Sequence, residues 1–266
     1  MGSATREALA SSKQALSQLS PAAVTVSTAE DLFAAGRIIG ESAQFRALLG
    51  DPSTDIAEKS ALVNRVFAKG LGADALSLLT AIASARWSNS DELLAGIEEI
   101  GLRVVAATAP VGVSIESELF EFGEAVSSDS GLELAIGTSL GSSAAKVALV
   151  DTLLSGKATE QTLVIVRHLV QQPRGRRIAE LLRNASTIVA DAKNQSIATV
   201  TFAAPIAPAQ LERLRASLGR LYGRELTINQ VVDPTVLGGI RVQIGDDVID
   251  GSIESRLSEL RQKLAG

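Results

Sequence analysis

The chain has 266 residues, enough for two or three compact units; 46% are hydrophobic but only six are Phe, one Tyr and one Trp, so its cores must be built mostly of Ala, Leu, Val and Ile. Its 25 basic and 30 acidic residues leave a formal charge of −5, which excludes nucleic acid or an anionic membrane as the expected main partner. Cysteine is absent, so disulfides, thiolate zinc sites and a cysteine nucleophile are excluded too.

At the N-terminal end, Arg6, Glu7 and Lys13 interrupt the stretch where a signal peptide would need an apolar block. No run of apolar residues is long enough to cross a bilayer. A soluble, cytoplasmic chain without direct membrane insertion is expected. The first helix is predicted roughly over Thr5 to Leu19.

Beyond it the sequence repeats itself. A shift of 87 residues lays Leu32 and Phe33 on Leu119 and Phe120, Gly50 on Gly137, Lys59 on Lys146, and Leu62-Val63 on Leu149-Val150. With one residue of slack, Glu92-Leu93-Leu94 then meets Glu180-Leu181-Leu182. Each copy reads as a helix, a short helix, a glycine turn and three further amphipathic helices. Leu76, Leu79, Ile82 and Ala83 stripe one face in the first copy; Leu163, Val166, Leu169 and Val170 do so in the second. Only the first copy has an additional leading helix. The expected organisation is an N-terminal helical bundle over 1–110, a second, partly duplicated bundle over 111–195, and a seam around Ala109, Pro110 and Gly112.

From Ser196 the period changes to two. Ala198, Val200 and Phe202 alternate with Thr199 and Thr201 as a half-buried strand requires. A helix with the stripe Leu211, Leu214, Leu218 and Leu221 follows, stopped at Gly223. Leu226, Ile228 and Val232 mark a second strand, and Ile240, Val242 and Ile244 a third. Ile253, Leu257, Leu260 and Leu264 stripe a closing helix. Residues 196–266 are therefore expected to form a β-α-β-β-α domain, and the fold class is mainly α with a small α+β C-terminal domain.

The acidic run near the end invites a metal reading, which fails on spacing. Placed in an EF-hand loop, Asp246, Asp250 and Gly251 leave Val248 and Leu257 where carboxylates are needed. A tight turn at Gly245-Asp246-Asp247 and a helix cap at Asp250-Gly251-Ser252 explain the same residues. Gly70-Leu71-Gly72 follows a helical pattern, not a strand, so it reads as a helix-to-helix turn and not a dinucleotide loop. His168 is the only histidine and lies beside a buried stripe, which gives it a structural role. Arg174, Arg176, Arg177 and Arg183 form the one basic cluster; without interleaved aromatics it reads as a solvated helix start or a protein contact. No catalytic residue, cofactor site or metal site is expected.

The run VVDPTVLGGIRVQIGDDVIDGSIESRLSELRQKL resembles the C-terminal hallmark of the delta subunit of F-type ATP synthases, relatives of the oligomycin-sensitivity-conferring protein. Gly238, Gly239, Gly245, Asp246, Asp250, Gly251 and Ser252 carry the likeness. The layout, helices first and a small β-containing domain last, is similar as well; the departure is the additional helical copy, which makes the chain resemble a longer bacterial variant. The resemblance implies a stator connector without chemistry of its own. It would grip the N-terminal helices of alpha subunits and meet the C-terminal end of the b stalk at the cytoplasmic face of the cell membrane. A helical-repeat adaptor unrelated to the synthase shares every feature except the C-terminal run. A small hydrolase or metal enzyme using Asp246, Asp247 and Asp250 is the rival from another class.

Overall fold

A computed structural model describes residues 2–137, 141–223, 225–234, 236, 238–244 and 247–250. The chain divides into two compact units, Met1–Val189 and Ala190–Gly266. The first segment that the sequence reads as a bundle, and the second as far as Val189, fall within the first unit, and their buried residues form one continuous apolar core.

In chain order, the first unit contains α1 (Ser3–Ser17), α2 (Val26–Glu41), α3 (Ala43–Gly50), α4 (Ile56–Phe67), α5 (Ala73–Ser84) and α6 (Ser90–Ala107). These are followed by α7 (Ile115–Ser128), α8 (Ser130–Gly137), α9 (Ser143–Leu154), α10 (Glu160–Gln171) and α11 (Ile178–Ala192), whose last residues pass into the second unit. The repeat is visible helix by helix: α3 and α8, α4 and α9, and α5 and α10 begin and end 87 residues apart. Their starts are capped by matched positions. Ser42 and Asp129 accept backbone N–H groups of α3 and α8, and Asp55 and Ser142 those of α4 and α9.

A longer-range cap repeats in the same register. The backbone N–H of Gly72, before α5, donates to Asp31 on α2 at 2.8 Å; that of Thr159, before α10, donates to Glu118 on α7 at 3.0 Å. The Gly70 segment is thus a helix-to-helix turn whose free donor is held by a neighbouring helix. The core matches as well: Leu32, Leu49, Val63, Leu79 and Ile82 are buried, and so are Leu119, Ile136, Val150, Val166 and Leu169.

One expectation is corrected. The second copy does have a leading helix, and it is α6. Helix α1 packs on α5 and α6; α6, starting 87 residues after α1, packs on α10 as well as on α1, α2, α3 and α5. Eleven of its 18 residues are buried, more than one apolar stripe accounts for, because it closes the first repeat and opens the second. Sharing a helix is what merges the two repeats into a single core.

The second unit holds β1 (Gln195–Phe202), α12 (Pro208–Tyr222), β2 (Glu225–Val232), β3 (Ile240–Ile244) and β4 (Asp247–Asp250), in the sheet order β2-β1-β3-β4. Strand β1 is central, parallel to β2 across the α12 crossover and antiparallel to β3. Its alternation is as the sequence predicts, with Ala198, Val200 and Phe202 buried. Gly223 ends α12 in the left-handed conformation at φ 66°.

Three details differ from the sequence reading. Leu221 and Val232 are 69% and 49% exposed: each lies at the last residues of its element, beyond the small core formed around Leu218, Leu226 and Val242. A fourth strand, β4, occupies the acidic run. Asp250 is the last residue of β4 and stands opposite Arg241 of β3, where opposite charges attract; the cap expected at Asp250-Gly251-Ser252 runs on into residues outside those described. The closing helix expected around Ile253 to Leu264 lies outside the described residues.

Candidate functional site

The two helical repeats meet at a buried carboxylate. Glu98 sits in the middle of α6, 4% exposed, on a helix whose spacing otherwise buries Leu94, Ile97, Gly101 and Leu102. The chain leaving α10 turns back over it: Arg174 adopts φ 49° and Gly175 φ 75°, a left-handed pair that brings two guanidiniums to one point. Arg176 donates to both Glu98 oxygens at 3.0 Å, and Arg174 donates to Oε2. His168 on α10 places Nε2 3.4 Å from the same oxygen, and its ring stacks on Phe33 of α2 with centroids 4.0 Å apart. Gln172 closes the contact by donating from its amide to the Gly36 carbonyl at 3.2 Å. Helices α2, α6 and α10 are thereby pinned together through polar groups within the apolar core.

Burial acts to raise the Glu98 pKa, but the adjoining His168 imidazole and the guanidinium charges of Arg174 and Arg176 outweigh it and hold the carboxyl at about 2. Burial also pushes the His168 imidazole below its usual value, with Arg37 and Arg174 adding to the effect and Glu98 opposing it. The folded chain thus keeps His168 neutral where the unfolded chain takes up a proton, from about pH 6.5 downward. Stability is expected to fall with pH through that window, since the unfolded state binds more protons. Glu98 acts lower, its contribution intact above the ordinary value of 4.5 and lost as pH falls towards about 2. Denaturation midpoints at about pH 7.5 and about pH 5.5 should therefore differ more in the wild type than in His168→Gln. An equal fall in both would remove His168 as the source.

Glu98 was invisible as a site in the sequence, although an acid within an apolar helical stripe was its available signal. The basic cluster divides: Arg174 and Arg176 turn inward to Glu98, against the expectation of a solvated start, while Arg177 and Arg183 remain exposed. His168 has the structural place expected of it. The hallmark residues belong to the second unit. Gly238 and Gly239 have φ of 75° and 81°, a conformation that a side chain would strain, and they deliver the chain into β3. Asp247 and Asp250 are exposed in β4. Gly245, Asp246, Gly251 and Ser252 lie outside the described residues.

An α-helical unit of tandem repeats with an ion-paired centre, joined in sequence to a small mixed sheet, defines a scaffold protein of two units. Comparison with known proteins gives the family. A family model described as "ATP synthase delta (OSCP) subunit" matches residues 104–264. A protein named "ATP synthase subunit delta" from Leifsonia xyli subsp. xyli is 56% identical over 266 residues, covering all of both chains. Its namesakes from Streptomyces avermitilis and Thermobifida fusca are 38% identical over 98% of each chain and 34% identical over all of both. A chain of the Toxoplasma gondii mitochondrial ATP synthase hexamer covers 64% of this chain and 96% of its own at 15% identity and a TM-score of 0.42, too distant to add to the assignment. The chain belongs to the ATP synthase delta (OSCP) subunit family, as a stator subunit of the membrane-associated F-type synthase. The matched span begins near the end of α6 and takes in α7 to α11 and most of the second unit's sequence. Residues 1–103 lie outside it.

Proposed function

We propose that the chain joins the catalytic head to the b stalk, the helical unit holding N-terminal helices of alpha subunits and the sheet unit meeting the C-terminal end of b. Attachment to the membrane is then entirely through partners, at the cytoplasmic face, and the chain performs no chemistry. Membership of the family carries this reading. The distribution of exposed apolar side chains supports it: Ile56 is 64% and Leu134 69% exposed in the helical unit, and Val232 and Val248 are 49% and 48% exposed in the sheet unit. Such positions on both units suit partner helices laid against them.

In the same reading 1–110 and 111–195 act as two holds on neighbouring subunits, and 196–266 as a third. Gly238, Gly239, Gly245, Asp246, Asp250, Gly251 and Ser252 shape the backbone of that last part and hold no ligand. The experiment is binding of the full chain to a peptide of the alpha N-terminus and, separately, to a soluble C-terminal piece of b. Both should bind. A folded chain that binds neither overturns the connector.

A further inference from the structure

A cleft of about 640 Å³ opens beside the ion-paired centre, between the end of α2, α3, the first turns of α6 and the chain that follows α10. Its volume lies within the range of about 300 to 1,000 Å³ typical of binding sites. Four guanidiniums line it, those of Arg37, Arg46, Arg174 and Arg176, together with the carboxylates of Glu41 and Asp91. Glu98 lies beneath Arg174 and Arg176, and Glu30, outside the cleft lining, acts together with Glu41 on Arg37.

Two of the arginines are also short of an acceptor. The Nε atoms of Arg46 and Arg174 are buried and have no hydrogen-bond partner among the described residues. A buried donor on a cation is costly to leave unmade, and a carboxylate is the planar acceptor that a guanidinium fork fits best. Charge selects the ligand further. A polyphosphate would add several negative charges against Glu41 and Asp91, whereas a carboxylate adds only one. The apolar wall of Leu94, Ala95 and Pro173 asks for hydrocarbon beside that carboxylate, which a peptide side chain and its neighbours supply and a free anion does not.

We propose that this cleft is the seat of an acidic peptide segment of a protein partner, with one of its carboxylates taken by the guanidiniums that line the cleft. The proposal rests on the connector reading and adds to it a place and a chemistry of contact. Charge on the partner, and not apolar area alone, then fixes how it sits on the helical unit.

The test uses the full chain with Arg46→Gln, and with Arg37→Gln and Arg46→Gln together, leaving in place the two arginines that hold Glu98. Affinity is measured for the catalytic head freed of this subunit and for the soluble b piece, at several salt concentrations. The expected result is a loss of about tenfold or more for one of the two partners, with a shallower salt dependence. Affinities for both partners within about twofold of wild type, in variants whose helicity and melting are unchanged, overturn the cleft and leave the connector standing. A wild-type chain that binds neither partner overturns the connector and this proposal with it. Should the double variant fail to fold, Arg46→Gln alone decides, because the Arg46 Nε has no hydrogen-bond partner among the described residues. Inorganic phosphate that raises the melting temperature of the wild type but not of the variants, with partner affinities unchanged, marks a free-anion site and overturns the peptide as occupant.

Discussion

Replacing Glu98 with alanine should cost the helical unit about 3 kcal/mol or more, the loss typical of removing one partner from a buried ion pair. Two guanidiniums lose their shared acceptor at once, and His168 loses the group 3.4 Å from its Nε2. The side chains of Arg174 and Arg176 are 20% and 27% exposed, so part of the loss is recovered as hydration, which places the effect at the lower end of the range. Glu98→Gln keeps the volume but gives up the charge, and should fall between wild type and alanine. The measurement is well posed because Trp87 is the only tryptophan and is buried in the helical core, so its fluorescence during urea unfolding reports on this unit alone. A shift under about 0.5 kcal/mol would show that the pairing is incidental to stability.

Gly96→Ala should destabilise by about 1 to 3 kcal/mol although alanine is the better helix former by about 1 kcal/mol. A methyl group at this position would lie 2.1 Å from the Trp87 ring. The ring has nowhere to go: it is 2% exposed, and its Nε1 donates to the Ile82 carbonyl at 2.8 Å. Gly123 in α7 is the control, since the nearest atom to an added methyl there is a Leu182 methyl at 3.7 Å, an ordinary contact. Gly123→Ala should therefore stabilise by up to about 1 kcal/mol. Two glycine-to-alanine changes in helices of the same unit are expected to move the midpoint in opposite directions. If both stabilise, the close approach of α6 to Trp87 is relieved by local repacking.

The same contrast shows what is legible in a sequence. Gly96 and Gly123 look alike in it, each a glycine inside a helical pattern. Only the neighbour differs, and the neighbour comes from elsewhere in the fold. The hallmark glycines were more readable, because Gly238 and Gly239 sit before an alternating strand and their left-handed backbone is a local demand. Val232 and Leu221 failed because alternation and helical spacing name a face and not where the covered part of that face ends.

By itself the sequence determined the helices, their period of 87 residues and the change to alternation near Ser196, since caps, stripes and strand pleats are set by residues within a few positions of one another. The tertiary structure alone decided that α6 serves both repeats, that Arg174 and Arg176 turn inward, and that a carboxylate 76 and 78 residues before them receives them. Pairings across that distance leave no periodic trace along the chain. Charge and burial at such a point depend on which helix faces lie together, and that is fixed only when the shared core closes.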